Sequence, residues 1–333
     1  MAPSANTYLR NEQLLTVKPH YPGNLVINGQ FANGEVLYTP QFSDVLKWRF
    51  SPNPQKAEKQ HDTFQVPVKA DASIFSSKED MIVWLGHATF LIRLAGQTFL
   101  TDPVFYDLPL IKRKVPFPIP PAQLTNIDFL LLSHGHRDHL DEKSVNTLVK
   151  YNPQVKATGP LGMGKLLKKM APNMPFQEGG WFQQFSLPGD EVQVYFTPAR
   201  HWHRRGLADM NTVLWGGFVL KTAKTTIYFA GDTAFGGHFE EIYDLFEPDY
   251  CILPIGAYKP AFLMQKSHLN PHEATKAFNI LRGHTFIPMH YGTFDLSDEP
   301  IGEPVRLMQQ IAAAGQLHGD LLFPAAGEAV LVS

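Results

Sequence analysis

The sequence contains a single cysteine, Cys251, in a chain of 333 residues. One cysteine excludes an internal disulfide and any metal site built from several thiolates. A metal ion in this protein would therefore be held by histidine and carboxylate side chains, which suit zinc and other ions of borderline softness. The chain has 14 histidines to draw on for such a site.

Long hydrophobic runs and an excess of positive charge are also missing. No stretch reaches the roughly 18 consecutive apolar residues of a membrane-spanning helix. The first residues, Met1 to Asn6, lack the charged and then apolar pattern of a secretory leader. These absences predict a cytoplasmic protein, peripheral to a membrane at most, or a chain from which a leader has been removed.

The charge balance bears on the kind of partner. The formal net charge is −2 and charged residues make up 18% of the chain, whereas a nucleic-acid enzyme normally carries a basic face. Nucleic acid is therefore not expected as a partner. The 27 prolines and 24 phenylalanines suggest long ordered loops lined with aromatic side chains, which suit an apolar substrate better than a polymer of phosphates, and a homodimer is left open.

The apolar content of 44% is enough for one large core or two modest ones. Residues 1–78 show no sustained period and are interrupted by prolines, which predicts an N-terminal extension over the core. Within 79–333, short apolar runs typical of strands alternate with helical patterns. This order predicts an α/β fold in which helices lie outside two β-sheets, a four-layer αββα sandwich that forms the main domain.

A cluster of metal-binding side chains lies between a predicted strand and a predicted helix. The strand is the apolar run 127–132, and the helix starts after Asp141, a candidate N-cap. Side chains two residues apart on an extended backbone point the same way, so His134 and His136 can reach one ion. The next two ligands follow in the turn and can face a second ion. In chain order the candidates are His134, His136, Asp138 and His139.

Three later residues are placed in the same way, close after a predicted strand. They are His201, Asp232 and His290. Taken alone, each would more often be an ordinary loop residue. Their joint occurrence, in order, after the first cluster favours convergence on one rim of the sandwich and a shared metal site.

These residues and the segments around them resemble the metallo-β-lactamase superfamily of dinuclear metallohydrolases. Segments 84–89, 100–105, 197–202, 254–258 and 290–294 resemble, within it, the branch of N-acylphosphatidylethanolamine-hydrolysing phospholipases D. The resemblance implies two Zn²⁺ ions, with iron or manganese left open because ligand type alone does not select the metal. It implies that His134, His136 and His201 hold one ion, that Asp138, His139 and His290 hold the other, and that Asp232 bridges them.

His268 and His87 are further candidates near the centre. His268 would hydrogen-bond a phosphate oxygen or protonate the leaving group; the alternative is that it caps the helix predicted to start near residue 271. For His87 we expect contact with a ligand side chain rather than with a metal ion. The predicted catalytic residues are Asp138, Asp232 and His268.

Two loops are candidates for substrate contact. The segment 258–264 follows a predicted strand on the same rim. It would form an apolar wall for acyl chains; the alternative is that its side chains only pack within the loop. The loop 106–121 is apolar, rich in proline and interrupted by the cations 112–114. It is either a packed surface loop or a lip that touches lipid tails and head groups. The predicted substrate-binding residues are Tyr258, Lys259, Phe262 and Met264.

The leading functional hypothesis is a dinuclear zinc phosphodiesterase of the phospholipase D type that acts on N-acylated phospholipids. A metal-dependent lactonase or amidase, or another phosphodiesterase of the same fold, is the alternative, because the same activated water can attack a carbonyl. A non-catalytic metal-bound sensor is a third hypothesis. Missing ligands would be its signature, and all seven predicted ligands are present.

Overall fold

The buried apolar runs of the sequence form two β-sheets. The computed structural model describes residues 6–34, 38–75 and 77–332. Residues 1–5, most of the segment in which a leader was sought, lie outside this range. The strands are β1 Thr7–Leu9, β2 Leu15–Thr16, β3 Asn24–Ile27, β4 Gln30–Phe31, β5 Met81–Gly86, β6 Thr89–Leu94, β7 Gln97–Thr101, β8 Phe129–Leu131, β9 Lys156–Pro160, β10 Phe176–Gly179, β11 Gln183–Gln184, β12 Gln193–Thr197, β13 Gly217–Lys221, β14 Thr226–Phe229, β15 Tyr250–Pro254, β16 Thr285–Met289, β17 Asp320–Leu321 and β18 Ala329–Leu331. The helices are α1 Phe42–Phe50, α2 Lys56–His61, α3 Glu142–Tyr151, α4 Gly164–Met170, α5 His238–Phe246, α6 Ala261–Met264, α7 Pro271–Leu281 and α8 Glu303–Ala313.

Strand direction brings the loops of interest to one edge. One sheet has seven strands in the order β10-β9-β8-β7-β6-β5-β18, and the other has eight in the order β17-β16-β15-β14-β13-β12-β11-β2. Strands β14, β15 and β16 are parallel, and β12 shares their direction because both β12 and β14 are antiparallel to β13. The carboxyl ends of β12, β14 and β16 therefore open at the same edge of this sheet.

Alternation along β5 shows how the layers pack. Ile82 and Trp84 belong to the buried cluster that joins the two sheets, whereas Val83 and Leu85 belong to a second cluster shared with α3 and α4. Successive side chains of a strand point to opposite faces, so one strand serves both layers. On the other side α5, α7 and α8 pack together, and Phe278 of α7 is fully buried in the first cluster. Helices thus lie outside both sheets, and the predicted αββα class is confirmed.

The N-terminal extension contributes strands that the sequence did not predict. β1, β3 and β4 form a small antiparallel sheet, and β2 pairs with β11 at the edge of the eight-stranded sheet. These strands are two to four residues long, too short to show a period. The extension also contains the helix α1 at 42–50, where the sequence has a short run with helical spacing. The domain boundary at residue 78 stays a prediction.

Within residues 6–34, 38–75 and 77–332, no helix combines the length and apolarity needed to cross a bilayer.

Candidate metal centre

Strand ends from both sheets bring the predicted ligands together. The first cluster follows β8, while His201, Asp232 and His290 follow β12, β14 and β16. Their ligand atoms fall into overlapping groups in which all atoms lie within 4.8 Å of one another. The groups are His134, His136 and His201; His87, Asp138, His139 and His290; Asp102, His134 and His139; and His201, Asp232 and His268.

The first group is a tight triangle of imidazoles. Nδ1 of His136 lies 3.0 Å from Nε2 of His134 and 3.0 Å from Nε2 of His201. Burial lowers the pKa of His136 and of His201 to about 3 and that of His134 well below its ordinary value. These rings are therefore neutral at neutral pH, the state in which imidazole binds a metal ion.

Asp232 lies between the first group and the second. Its Oδ2 is 3.2 Å from Nε2 of both His139 and His290, and 3.9 Å from Nε2 of His201. Nε2 of His290 is also 3.5 Å from Oδ2 of Asp138. One carboxylate thus faces histidines of both groups, which is the position that a bridging ligand requires.

Buried partners orient three of the rings. Nδ1 of His201 donates to the carbonyl oxygen of Ser267 at 2.9 Å, so its Nε2 carries the inward lone pair. Nδ1 of His139 donates to Asp102 at 2.7 Å, which leaves Nε2 as the ring nitrogen that faces the centre. Ser133 donates its own hydrogen to Asp102 at 2.5 Å and accepts from Nδ1 of His134 at 2.9 Å. In each case the nitrogen left over faces the centre.

The donor set fits metal ions. Nε2 of His139, Nε2 of His290 and Oδ1 of Asp232 are buried, and the described residues offer them no hydrogen-bond partner. Burial alone would raise the pKa of Asp232, but His139 and His290 hold it well below its usual value. Burial would also raise the pKa of Asp138, but His139 in particular holds that pKa well below its usual value. Against burial, Asp232 and Asp138 raise the pKa of His139 and that of His290, the latter to about 9. Two ionised carboxylates that attract positive charge, beside imidazole nitrogens that face them, form a donor set that suits cations.

His87 and His268 complete the wall of the centre. Nε2 of His87 is hydrogen-bonded to Oδ2 of Asp138 at 3.1 Å, the contact with a ligand that the sequence predicted. Nδ1 of His268 lies 3.8 Å from Oδ2 of Asp232, and 13% of the His268 side chain is exposed. The helix α7 is capped by Asn270, which forms a reciprocal capping box with Glu273. Capping by His268 was thus the wrong alternative.

A half-buried arginine contacts the backbone of the loop that carries the first four ligands. Nη1 of Arg205 donates to the carbonyl oxygens of Gly135, His136 and Leu140 at 3.0, 3.4 and 2.7 Å. Sequence reasoning missed Arg205, and also Asp102 and Ser133, because these residues act on the ligands or on their backbone. Asp102 carried a signal that could have found it, since a polar residue directly follows the buried strand β7.

Two of the predicted substrate-binding residues lie in a polar cluster. The hydroxyl of Tyr258 donates to Oε1 of Glu303 at 2.5 Å, and Nζ of Lys259 contacts the same oxygen at 2.6 Å. Lys259 also donates to Gln55 of the extension. Both polar groups are thus engaged within the protein, and their contact with substrate stays a prediction.

The other two lie on α6, directly before His268. The backbone N–H of His268 donates to the carbonyl oxygen of Met264 at 2.9 Å. The Phe262 side chain is half-exposed, and the ammonium group of Lys47 lies 4.3 Å from the centre of its ring. The exposed part of Phe262 on α6 therefore lies close in the sequence to His268, which is partly exposed to solvent.

The loop 106–121 differs from its prediction at Arg113, which does not face outward. Burial lowers the pKa of its guanidinium to about 10. Its nitrogens donate to the carbonyl oxygens of Leu85, Val104 and Val115. Contact of Arg113 with a head group was a wrong prediction, because these backbone acceptors hold it inside. Lys112, Lys114 and Leu110 are exposed.

Comparison with known proteins agrees with this geometry. The β-lactamase superfamily domain model matches residues 97–291. N-acyl-phosphatidylethanolamine-hydrolyzing phospholipase D 1 of Caenorhabditis elegans is 33% identical over 312 residues, covering 88% of this chain and 87% of its own. The mitochondrial enzyme of the same name from Saccharomyces cerevisiae is 28% identical, covering 80% of this chain and 59% of its own.

A solved structure shows the same fold. The isothiocyanate hydrolase from Delia radicum gut bacteria superposes with a TM-score of 0.63 at 20% identity, over 76% of this chain and 99% of its own. The matched family model, the relative from C. elegans and the converging histidines and aspartates lead to one assignment. The chain belongs to the metallo-β-lactamase superfamily of metal-dependent hydrolases and resembles the N-acyl-phosphatidylethanolamine-hydrolyzing phospholipases D.

Proposed function

We propose that this protein is a dinuclear zinc phosphodiesterase of the phospholipase D type. Its substrate would be an N-acylphosphatidylethanolamine or a similar lipid, and its products an N-acylethanolamine and a phosphatidic acid. The observation that carries the proposal is the position of Asp232, whose Oδ2 lies within 4 Å of histidines from both ligand groups. The lipid substrate is carried over from the C. elegans relative, which matches 88% of this chain.

The ligand groups assign a role to each side chain. His134, His136 and His201 would hold one ion, Asp138, His139 and His290 the other, and Asp232 would lie between them. When bound, zinc ions supply Lewis acidity and an activated water near neutral pH. Asp102, Ser133 and the carbonyl of Ser267 orient the imidazoles before any ligand arrives, which lowers the cost of organising the site.

The reaction needs one water and one leaving alcohol. Hydrolysis joins the water oxygen to phosphorus, breaks the bond from phosphorus to the ethanolamine oxygen and leaves a proton on that oxygen. Oδ1 of Asp232 is buried and lacks a partner within the described residues, so it can accept a hydrogen bond from the attacking water and orient it. An N–H of neutral His268 can donate to a phosphoryl oxygen.

The substrate would approach from the side of His268. Phe262 and Met264 on α6 would contact the acyl chains. A cavity of about 520 Å³ is lined by Pro109, Arg137 and Arg205, among other residues. Two fully exposed leucines lie close to this lining in the sequence, Leu110 after Pro109 and Leu207 two residues after Arg205. Exposed leucines beside cations would support peripheral contact with lipid.

A comparison of three substrates tests the proposal. The zinc-loaded protein is incubated with vesicles containing N-acylphosphatidylethanolamine, with a soluble phosphodiester dye and with a lactone. The proposal predicts release of N-acylethanolamine from the vesicles and slower hydrolysis of the dye. Hydrolysis of the lactone alone would replace the phosphodiesterase with a lactonase, and no hydrolysis of any substrate would favour a metal-bound sensor.

A further inference from the structure

An asparagine of the N-terminal extension contacts the backbone of a metal ligand. Nδ2 of Asn33 donates to the carbonyl oxygen of His201 at 2.9 Å, and the N–H of His201 donates back to Oδ1 of Asn33 at 3.2 Å. The same Oδ1 accepts from Nε1 of the fully buried Trp215 at 3.0 Å. Asn33 lies outside residues 97–291, the part that the family model covers.

His201 needs such a partner because it lies beyond the end of β12. Residues 198–204 form no strand or helix, yet His201 is fully buried. A buried backbone N–H or carbonyl oxygen without a hydrogen-bond partner destabilises the fold, because the group has lost its hydrogen bonds to water. Asn33 satisfies both groups of this one residue. Its amide therefore takes the place that a neighbouring strand would take in a sheet.

The ring of His201 is then held from two directions. Asn33 holds the backbone, and the carbonyl of Ser267 accepts from Nδ1 of the ring at 2.9 Å. With both ends held, Nε2 keeps its place 3.0 Å from Nδ1 of His136. A shift of the backbone at His201 would move this nitrogen out of the triangle of imidazoles.

The extension contacts the same loop on both sides of Asn33. The N–H of Phe31 donates to the carbonyl oxygen of Asn211 at 2.8 Å, and Nδ2 of Asn211 donates to the carbonyl oxygen of Tyr38 at 2.7 Å. Oδ1 of Asn211 accepts in turn from the N–H of His203 at 3.0 Å. Among the described residues, Asn33 thus lies between two further attachments, at Phe31 and Tyr38, of the extension to the segment 201–211.

We propose that Asn33 is a positioning residue of the metal centre, so that the N-terminal extension completes the ligand set by fixing His201. This inference rests on the metal centre and not on the lipid substrate proposed above. It would hold equally for a lactonase with the same ligands. Asn33 itself does not touch the metal or the substrate.

Cobalt titration of the full-length protein tests the proposal without any substrate. Metal is removed with a chelator, Co²⁺ is added back, and its visible absorption reports both affinity and ligand geometry. Asn33→Ala should weaken the binding of Co²⁺ by about 10–100-fold, the range for loss of a partner that orients a ligand, and should change the absorption band. Asn33→Asp keeps the acceptor for His201 and Trp215 but turns a charged oxygen toward the carbonyl oxygen of His201, so its affinity should also fall below that of the wild type.

Asn11→Ala is the matched control. Asn11 is also a half-buried asparagine of the extension, and its Nδ2 donates to the carbonyl oxygen of Glu178 at 2.7 Å, on β10 of the other sheet. The control should bind Co²⁺ like the wild type. Equal affinities and spectra for Asn33→Ala and Asn11→Ala would overturn the proposal. If Asn33→Ala fails to fold, an affinity of Asn33→Asp equal to that of the wild type would overturn it.

Discussion

Nδ1 of His139 donates a hydrogen bond to Oδ2 of Asp102 at 2.7 Å, and both side chains are completely buried. Asp102 also accepts from the hydroxyl and the backbone N–H of Ser133. Burial raises the pKa of Asp102, while the contacts with His139 and Ser133 act in the opposite direction. A carboxylate behind a ligating imidazole fixes its tautomer and increases its basicity.

Replacement of Asp102 tests this contact. Asp102→Asn removes the charge behind His139 and keeps nearly the same volume, so we expect zinc affinity to fall by about 10–100-fold. Competition with a chromophoric chelator measures the change. Asp249→Asn is the control, because Asp249 also accepts a backbone N–H at the start of a strand, from Thr226 at 2.8 Å, and lies outside the ligand groups. Equal zinc affinities for the two variants would contradict the role of Asp102.

Arg205 should act on the same centre through the backbone of the ligand loop. Arg205→Lys keeps a positive charge, but lysine lacks the planar guanidinium group that donates to the carbonyl oxygens of Gly135 and Leu140. We expect a loss of metal affinity of about tenfold or more, measured by isothermal titration with zinc. The control is Arg204→Lys, since the one hydrogen bond of the Arg204 side chain to the described part of the chain goes to the carbonyl oxygen of Gly206, two residues further on. An equally large loss of metal affinity in Arg204→Lys would show that Arg205 has no specific effect on the metal centre.

The extension and α8 are joined by an ion pair whose contribution should depend on pH. Nη2 of Arg306 lies 2.9 Å from Oδ2 of Asp62, and this contact lowers the pKa of Asp62. An aspartate has a pKa of about 3.9 in the unfolded chain. The lower folded-state pKa therefore adds stability above about pH 4, and this stability is lost as the pH falls through the folded-state value.

Urea denaturation of wild type and Asp62→Asn measures the effect. Arg306 is half-exposed, so we expect the variant to lose only about 1 kcal/mol of unfolding free energy at pH 7. The difference between the two proteins should shrink as the pH is lowered from 5 to 3. A difference that stays constant over this range would show that the charge of Asp62 does not contribute.

Phe262 is the best placed of the predicted substrate contacts. Phe262→Glu puts a charge on the apolar surface of α6, so we expect a KM at least tenfold higher for lipid vesicles and little change for a soluble phosphodiester. Leu15→Glu is the control, since Leu15 is also an exposed apolar residue and lies on β2, an edge strand of the eight-stranded sheet. If Phe262→Glu changed the KM for both substrates equally, Phe262 would stabilise the site in general and would not contact the acyl chains.

The ligands could be predicted from the sequence because each follows a buried apolar strand. This rule finds His134, His201, Asp232 and His290, and the common direction of β12, β14 and β16 explains why they meet. It could not find Asn33, which acts on a residue 168 positions away through amide contacts.

The remaining differences have the same kind of cause. Arg113 appeared in the sequence as one of three consecutive cations, and only the surrounding carbonyls turn it inward. Glu303, which lies 44 residues further along the chain and pairs with Lys259, was likewise not expected from the sequence, while contact of Lys259 with substrate stays a prediction. Such long-range pairings leave no local pattern, so the sequence predicts where ligands lie better than what orients them.

Metal analysis of the purified full-length protein tests the central claim most directly. After incubation with zinc and removal of the excess, the account predicts two bound equivalents per chain, and fewer for Asp232→Asn with the fold retained by circular dichroism. A wild-type chain that retains no zinc, or an Asp232→Asn variant with unchanged zinc content and unchanged hydrolysis, would contradict it.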